Sequence, residues 1–201
     1  MMNVEDTRLS KDEKKLLSAM VGKSLESYRY TDSGSGAHHA AFEVLEMNVG
    51  GEPFTISNAL QVVNYFGDRE DVCVMKVLAG KAAETAPWFS RQRTETVDVG
   101  QRIEDVIVFE DVVTMDGDTE SPFEFDSTFA IVFKLERTQI AFMRGHEFGE
   151  DIDIERGPGM AKKLTANTTL TEVDDGREFR TERSVVGLSC SKESLDGAEE
   201  A

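Results

Sequence analysis

Short runs of alternating apolar and polar residues dominate the chain. The clearest lie within the stretch 129–157, where Ala130–Leu135, Gln139–Met143 and Asp151–Glu155 are separated by charged or glycine-containing breaks. Strands of this length, joined by connections this short, are typical of a small antiparallel meander. The pattern therefore predicts three consecutive antiparallel strands in this stretch.

A looser version of the same pattern occurs in the first half of the chain. Gly50-Gly51 predicts a hairpin, because glycine readily adopts the positive φ that a two-residue turn needs. Asn58–Phe66 fits either a short helical turn or an irregular strand. The strands predicted in this half are Ser24–Thr31, Ala41–Val49, Pro53–Ser57 and Val72–Leu78.

One helix is predicted near the N-terminus. Ser10 and Glu13 have the spacing of a capping box, and apolar residues follow them at helical intervals. The spacing predicts a helix over about Lys11–Met20, with Gly22 as the residue in the left-handed conformation that ends it.

Together these elements predict a mainly β protein, α+β at most, with a short N-terminal helix. The predicted organisation is the helical segment 1–20, a first β unit 21–79, a connector 80–98, a second β unit with an extra hairpin 99–190, and a disordered acidic tail 191–201.

Several landmarks recur in the same order in the two β units, with nearly constant spacing. They predict an internal duplication that produced two related antiparallel β units. The matched pairs are Val21-Gly22 with Val99-Gly100, the hairpin Ala41–Ser57 with Phe129–Met143, Phe66-Gly67-Asp68 with Phe148-Gly149-Glu150, and Val72 and Val74 with Ile152 and Ile154.

Alternation along the predicted strands selects a set of core residues. In the first unit we expect burial of Phe42, Val44, Phe54, Ile56, Val72 and Val74, and in the second of Ile131, Phe133, Ile140, Phe142, Ile152 and Ile154.

If Ile152 and Ile154 face the core, then Asp151, Asp153 and Glu155 share the opposite face of their strand. The matching face in the first unit is apolar, with Cys73, Met75 and Val77. We therefore predict one acidic strand face in the second unit and a strand covered on both faces in the first.

Charge adds a class of partner to this picture. The formal net charge is −17. Residues 1–95 hold 14 acidic and 11 basic side chains, net −3, whereas residues 96–201 hold 25 and 11, net −14. A field of this sign opposes direct binding to nucleic acid, and it favours a basic protein surface. High solubility alone is the simpler explanation of the charge.

The composition also bears on the compartment. No run approaches the roughly 18 apolar residues of a membrane-spanning helix, and the polar N-terminus lacks the apolar core of an export signal. Cys73 and Cys190 are widely separated and lack metal-ligand spacing. Reduced thiols and a cytoplasmic location, without membrane contact, are the expectation.

No motif in the chain specifies a reaction or a cofactor, so none is predicted. The imidazoles are His38, His39 and His146. Adjacent histidines in a strand point to opposite faces, so His38 and His39 are weak metal ligands unless their glycine-rich loop brings His146 to them. A solvated loop pair is the favoured interpretation.

The sequence therefore favours a non-catalytic binding protein whose acidic β surface, at Asp151, Asp153 and Glu155, meets a basic protein partner. One alternative is a small hydrolase or ligand-binding enzyme with its site between the two β units. A third is an acidic mimic of nucleic acid. The sequence does not determine the oligomeric state.

Overall fold

The computed structural model describes residues 3–32, 39–81, 94–116, 123–146, 148–165, 169–174 and 177–188. The mainly β class is confirmed, because these residues form eleven strands and two helices. In chain order the elements are β1 (Asn3–Asp6), α1 (Lys11–Ser18), β2 (Ser24–Asp32), β3 (His39–Val49), β4 (Glu52–Tyr65), β5 (Asp68–Ala79), β6 (Thr94–Asp116), β7 (Phe123–Leu135), β8 (Gln139–His146), β9 (Gly149–Gly157), α2 (Met160–Thr165), β10 (Thr169–Asp174) and β11 (Arg177–Gly187).

Six strands form a closed ring. The pairing runs β6, β7, β8, β9, β3 and β2, and β2 pairs with β6 again. All of these pairs are antiparallel. Strand β1 adds to β7 in parallel. Among the described residues, neither helix has the length and the apolar run that a membrane crossing requires.

Two hairpins branch from this ring because two of its strands change partners along their length. Strand β6 pairs with β2 over Thr94–Arg102 and with β11 over Ile107–Asp116, which attaches the β10–β11 hairpin. Strand β3 pairs with β9 over His39–Phe42 and with β4 over Val44–Val49, which attaches the β4–β5 hairpin.

The change of partner in β3 corrects part of the predicted core. Phe42 and Val44 are only half-buried, and Leu45, Met47 and Val49 are buried instead. Between them Glu43 has φ +54°, and the β2–β3 register slips at this point. This irregularity breaks the alternation on which the prediction rested. The other ten predicted core residues are buried.

The main core fills the ring. It joins Leu17 and Met20 from the α1 region to ring residues such as Phe133 and Phe142, and to Met75 of β5. A second cluster covers the outer face of β6, β7 and β8 beneath Met160 of α2. A third lies near the β4–β5 turn, where Val63, Val72, Val113 and Phe125 meet an aromatic group of Tyr65, Phe66 and Phe179.

The N-terminal segment is fixed to β6 and β7 by ionic contacts. Lys14 Nζ lies 2.6 Å from Glu110 Oε1, and Arg8 Nη2 lies 2.8 Å from Asp126 Oδ2. Both carboxylates are buried. Burial raises the pKa of Asp126, and the nearby Arg8 opposes that shift. These charges need their partners, because an unpaired buried charge is strongly destabilising.

Helix α1 has the predicted capping box. The Ser10 side chain accepts a bond from the Glu13 N–H, and the Glu13 carboxylate accepts one from the Ser10 N–H. The helix ends at Ser18 with Ala19 as its C-cap, so the predicted extension to Met20 and the role of Gly22 were wrong. Gly22, at φ +88°, instead directs the chain into β2, and its N–H donates to the Ile103 carbonyl.

Both predicted β units are four-strand meanders, β2 to β5 and β6 to β9. Sequential antiparallel pairing is a common arrangement and does not by itself show a duplication, which stays a prediction. Most of the predicted connector, residues 82–93, and the whole tail, 191–201, lie outside the described residues. Asn58–Tyr65 is a regular continuation of β4, so the helical alternative for Asn58–Phe66 was wrong.

Candidate functional site

The predicted acidic residues lie together on β9. Ile152 and Ile154 are buried in the main core, so alternation directs Asp151, Asp153 and Glu155 to the opposite, outward face. Asp151 and Asp153 are half-buried, and Glu155 is exposed. We call these three residues the acidic strip.

The neighbouring strands leave room for the strip. Asp153 lies opposite Ala40 of β3 and Met143 of β8, and Glu155 lies opposite Ala141. A Cβ atom at Gly145 would be only 3.2 Å from Asp153 Oδ2, so glycine at this position makes space for the carboxylate. Ala40, Ala141 and Gly145 thus leave space beside the acidic side chains, whereas Met143 is a large neighbour of Asp153.

A second polar group lies where β3 passes from β9 to β4. Asn58 of β4 is fully buried, and its Nδ2 donates to the carbonyls of Gly149 at 3.0 Å and Asp151 at 3.3 Å. Its Oδ1 has no hydrogen-bond partner among the described residues. The side chain thus joins β4 to β9 where no strand ladder connects them. We call this region, with Glu43 and Glu150, the seam.

Glu43 and Glu150 form a carboxyl pair at the seam, one from each predicted β unit. The Glu43 side chain is hydrogen-bonded to that of Glu150. Burial, followed by the charge of Glu150 and this hydrogen bond, raises the pKa of Glu43.

Cys73 and Arg144 lie beside this pair. The buried Arg144 donates to the Cys73 carbonyl at 3.4 Å and to Ser127 Oγ at 3.0 Å. Cys73 is a free and fully buried thiol, and burial with the nearby Glu150 raises its pKa to about 11. A protonated, buried thiol is a poor nucleophile, so this cysteine is suited to packing. Cys190 lies outside the described residues.

The histidines are not brought together by the described part of the chain. His39 Nδ1 lies 3.3 Å from the Tyr30 hydroxyl, which donates to Glu95 Oε2 at 3.0 Å. The side chains of His38 and His146 lie outside the described residues. Among the described side chains, no group of three or more His, Cys, Asp or Glu is arranged to hold a metal ion.

Two surface cavities lie away from the seam. One, of about 260 Å³, is lined by residues that include Arg29, Glu46 and Lys81. The other, of about 310 Å³, is lined by residues that include Arg102, Glu104 and Glu136. Neither contains a residue of the acidic strip or the Glu43–Glu150 pair.

Sequence reasoning missed the seam. Glu43 and Glu150 are more than a hundred residues apart, and no local pattern pairs two acids among the 39 in the chain. Asn58 offered no signal either, because its role depends on the carbonyls of a distant strand. Comparison with models of known families, with curated proteins and with solved structures found no match.

Proposed function

We propose that this protein is a non-catalytic, cytoplasmic binding protein whose acidic strip docks a basic protein partner. The observation that carries the proposal is the arrangement of Asp151, Asp153 and Glu155 on one outward face of β9, with Ile152 and Ile154 buried behind them. A cytoplasmic location is in keeping with the free thiol of Cys73.

The distribution of cations supports an acidic surface. Arg144 is buried, and Arg183 is held by Asp111 through two bonds of 2.7 Å. Lys14 is paired with the buried Glu110. Cations used inside the fold cannot neutralise acids on the surface. Among the described residues, these cations therefore do not offset the exposed carboxylates.

A basic partner would add favourable charge interactions with the carboxylates of the strip. Such a partner would also be attracted from a distance, which speeds association and makes it sensitive to salt. The acidic strip thus contributes to the rate of encounter as well as to affinity.

The test replaces the strip by its neutral isosteres, Asp151→Asn, Asp153→Asn and Glu155→Gln. Partners are first identified by co-purification from the native host and then titrated against purified protein at low and high salt. We expect the triple variant to fold as well as the original and to bind more weakly, with a flatter salt dependence. The control is the triple Glu52→Gln, Glu104→Gln and Glu136→Gln, which removes the same charge from exposed residues elsewhere.

The experiment has three distinguishable outcomes. Weaker binding by the strip variant than by the control supports the proposal. Equal binding by both, together with no effect of salt, would show that the acidity serves solubility alone. A partner that is also a DNA-binding protein and is displaced by DNA would favour the nucleic-acid mimic.

One observation favours an enzyme or ligand-binding protein as the second candidate. The Glu43–Glu150 pair joins the two predicted β units, and a close carboxyl pair with one raised pKa is an arrangement used in acid–base catalysis. The test is hydrolysis of a panel of activated esters by the original protein and by a Glu43→Gln, Glu150→Gln variant. Activity that the double substitution abolishes would establish this candidate.

A further inference from the structure

The edge of β4 changes character along its length. Residues Glu52–Ser57 pair with β3 on one side and with β5 on the other. From Asn58 to Asn64 only the β5 side is paired, and no other described strand is paired with this edge, although β9 and β1 approach β4. An unpaired edge is a template for a further strand.

The alternation of hydrogen-bonded and non-hydrogen-bonded pairs in the β4–β5 ladder shows which backbone N–H and C=O groups point outward from this edge. The Pro53 carbonyl accepts from the Gly80 N–H at 2.8 Å, and Tyr65 and Asp68 close a two-residue turn at the other end. Odd-numbered residues of β4 therefore bond to β5. The intervening residues, Asn58, Leu60, Val62 and Asn64, direct their N–H and C=O groups away from β5.

Side chains on this edge are unusually apolar for a surface strand. Leu60 is 49% exposed and Val62 is 54% exposed. Cys73, opposite Leu60, is buried, whereas Asp71, opposite Val62, is exposed. Charged residues and proline are the usual protection of an exposed edge, and neither occurs between Asn58 and Asn64.

Exposed charged residues lie on β5, across β4 from this apolar edge, where Glu70 and Asp71 outnumber Arg69. Asp71 lies opposite Val62, Glu70 lies opposite Val63, and both are exposed. At the other end Asn58 holds the carbonyls on either side of Glu150, next to the acidic strip. An added strand would therefore lie across β4 from Glu70 and Asp71 and would have Glu150 near its Asn58 end, which favours lysine and arginine in the partner.

We propose that the partner adds a basic, extended segment to the free edge of β4 between Asn58 and Asn64. The backbone of that segment pairs with Leu60 and Val62, and its cationic side chains are attracted by Glu70 and Asp71 across β4 and by the carboxyl groups of the seam. Main-chain pairing supplies affinity, and the alternating side chains supply specificity. The inference rests on the proposed function, because it assigns the place and the form of the basic partner. A second copy of this acidic chain would be repelled at the same edge.

The experiment uses a synthetic peptide of about eight alternating lysines and valines as the probe. A peptide of equal charge with a central proline cannot pair continuously and measures simple ionic attraction. We expect the first peptide to bind more tightly. Hydrogen exchange followed by NMR should show the Leu60 and Val62 amides slowed by about tenfold or more in the complex.

The decisive variant is Val62→Pro. Because the Val62 N–H points away from β5, proline at this position removes an outward donor and leaves the β4–β5 bonds intact. We expect a thermal melt close to that of the original protein and at least about tenfold weaker peptide binding. Val62→Thr, which keeps the N–H, is the matched control and should retain most of the binding. A double variant, Leu60→Lys with Val62→Lys, blocks the edge without proline and checks the result.

The outcomes separate this inference from the proposed function. Loss of binding in Val62→Pro but not in the acidic-strip variant supports the edge and contradicts the strip as the docking surface. Loss in the strip variant alone, with unchanged exchange at Leu60 and Val62, overturns the edge inference and leaves the proposed function standing. A dimer of this chain that Val62→Pro dissociates would replace the basic segment by a second copy and overturn the proposal.

Discussion

Strands β5 and β9 are the fourth strands of the two meanders, and they carry branched apolar residues at matching positions. Val72 and Val74 of β5 are buried, as are Ile152 and Ile154 of β9. The opposite faces differ. Cys73, Met75 and Val77 are also buried, whereas the acidic strip is half-buried to exposed.

The difference follows from the layers in which the strands lie. Strand β9 belongs to the wall of the ring, with one face inward and one outward. Strand β5 branches from the ring and packs against α1 and against β7, β8 and β9. The Glu13 carboxylate of α1 even accepts a bond from the Val77 N–H. Whether a strand face is polar or apolar thus depends on what covers it. Both strands have apolar residues at alternate positions, but only in β5 is the opposite face apolar as well.

The largest expected effect comes from exchanging residues between these two faces. Met75→Glu would bury a carboxylate in the main core and should cost about 4 kcal/mol of unfolding free energy or more. The reciprocal change, Glu155→Met, should stay within roughly 0.5 kcal/mol, because the Glu155 side chain is exposed. Urea unfolding of both variants measures the contrast, and equal losses would refute the difference between the faces.

The next effect concerns the inward face of β9. Ile154→Ala should lower the unfolding free energy by roughly 2–5 kcal/mol, because it removes buried methyl groups and leaves a cavity. Ile154→Val, the graded control, should cost about 0.5–1.5 kcal/mol. A loss below about 1 kcal/mol for the alanine variant would place the side chain in solvent and shift the strand register by one residue.

The smallest expected change in stability is at the seam, where β9 meets β3 and β4. The pKa of Glu43 is raised in the fold, so the folded state holds its proton more tightly than the unfolded state. The stabilisation that comes from holding this proton is present at low pH and is lost as the pH rises through the pKa of Glu43 in the folded state. Glu43→Gln should therefore stabilise the protein by roughly 0.2–1 kcal/mol at about pH 8 and change little at about pH 4.

Thermal melts at the two pH values measure this change. The control is Glu46→Gln, which removes a carboxylate from the same strand outside the Glu43–Glu150 pair. An identical gain at both pH values for Glu43→Gln would show that the benefit comes from packing or backbone strain and not from the raised pKa of Glu43.

Local rules were sufficient for the elements that depend on neighbouring residues. The capping box of α1 and the Gly50-Gly51 hairpin are confirmed, and both glycines have positive φ. The inward face of β9 also followed from alternation. These features are decided within a few residues of chain, where sequence patterns are most informative.

The remaining features depend on distant partners. The register slip at Glu43 arises because β3 pairs first with β9 and then with β4. No residue near Glu43 indicates this change of partner. The same holds for β6, which continues unbroken from Thr94 to Asp116 although its neighbours on one edge change. The Glu43–Glu150 pair appears only once the ring is closed, so the seam was beyond sequence reasoning.

Closure of the ring also has a consequence for the order of folding. Strands β3 and β9 are joined by four residue pairs, His39–Phe42 with Asp151–Ile154, and each pair links residues more than a hundred positions apart. Closing so long a loop costs entropy before the contacts repay it, whereas the hairpins within each meander form locally. We therefore expect the two meanders to assemble first and the β3–β9 pairing to form last. The seam would then be the slow step of folding and the first part of the ring to open.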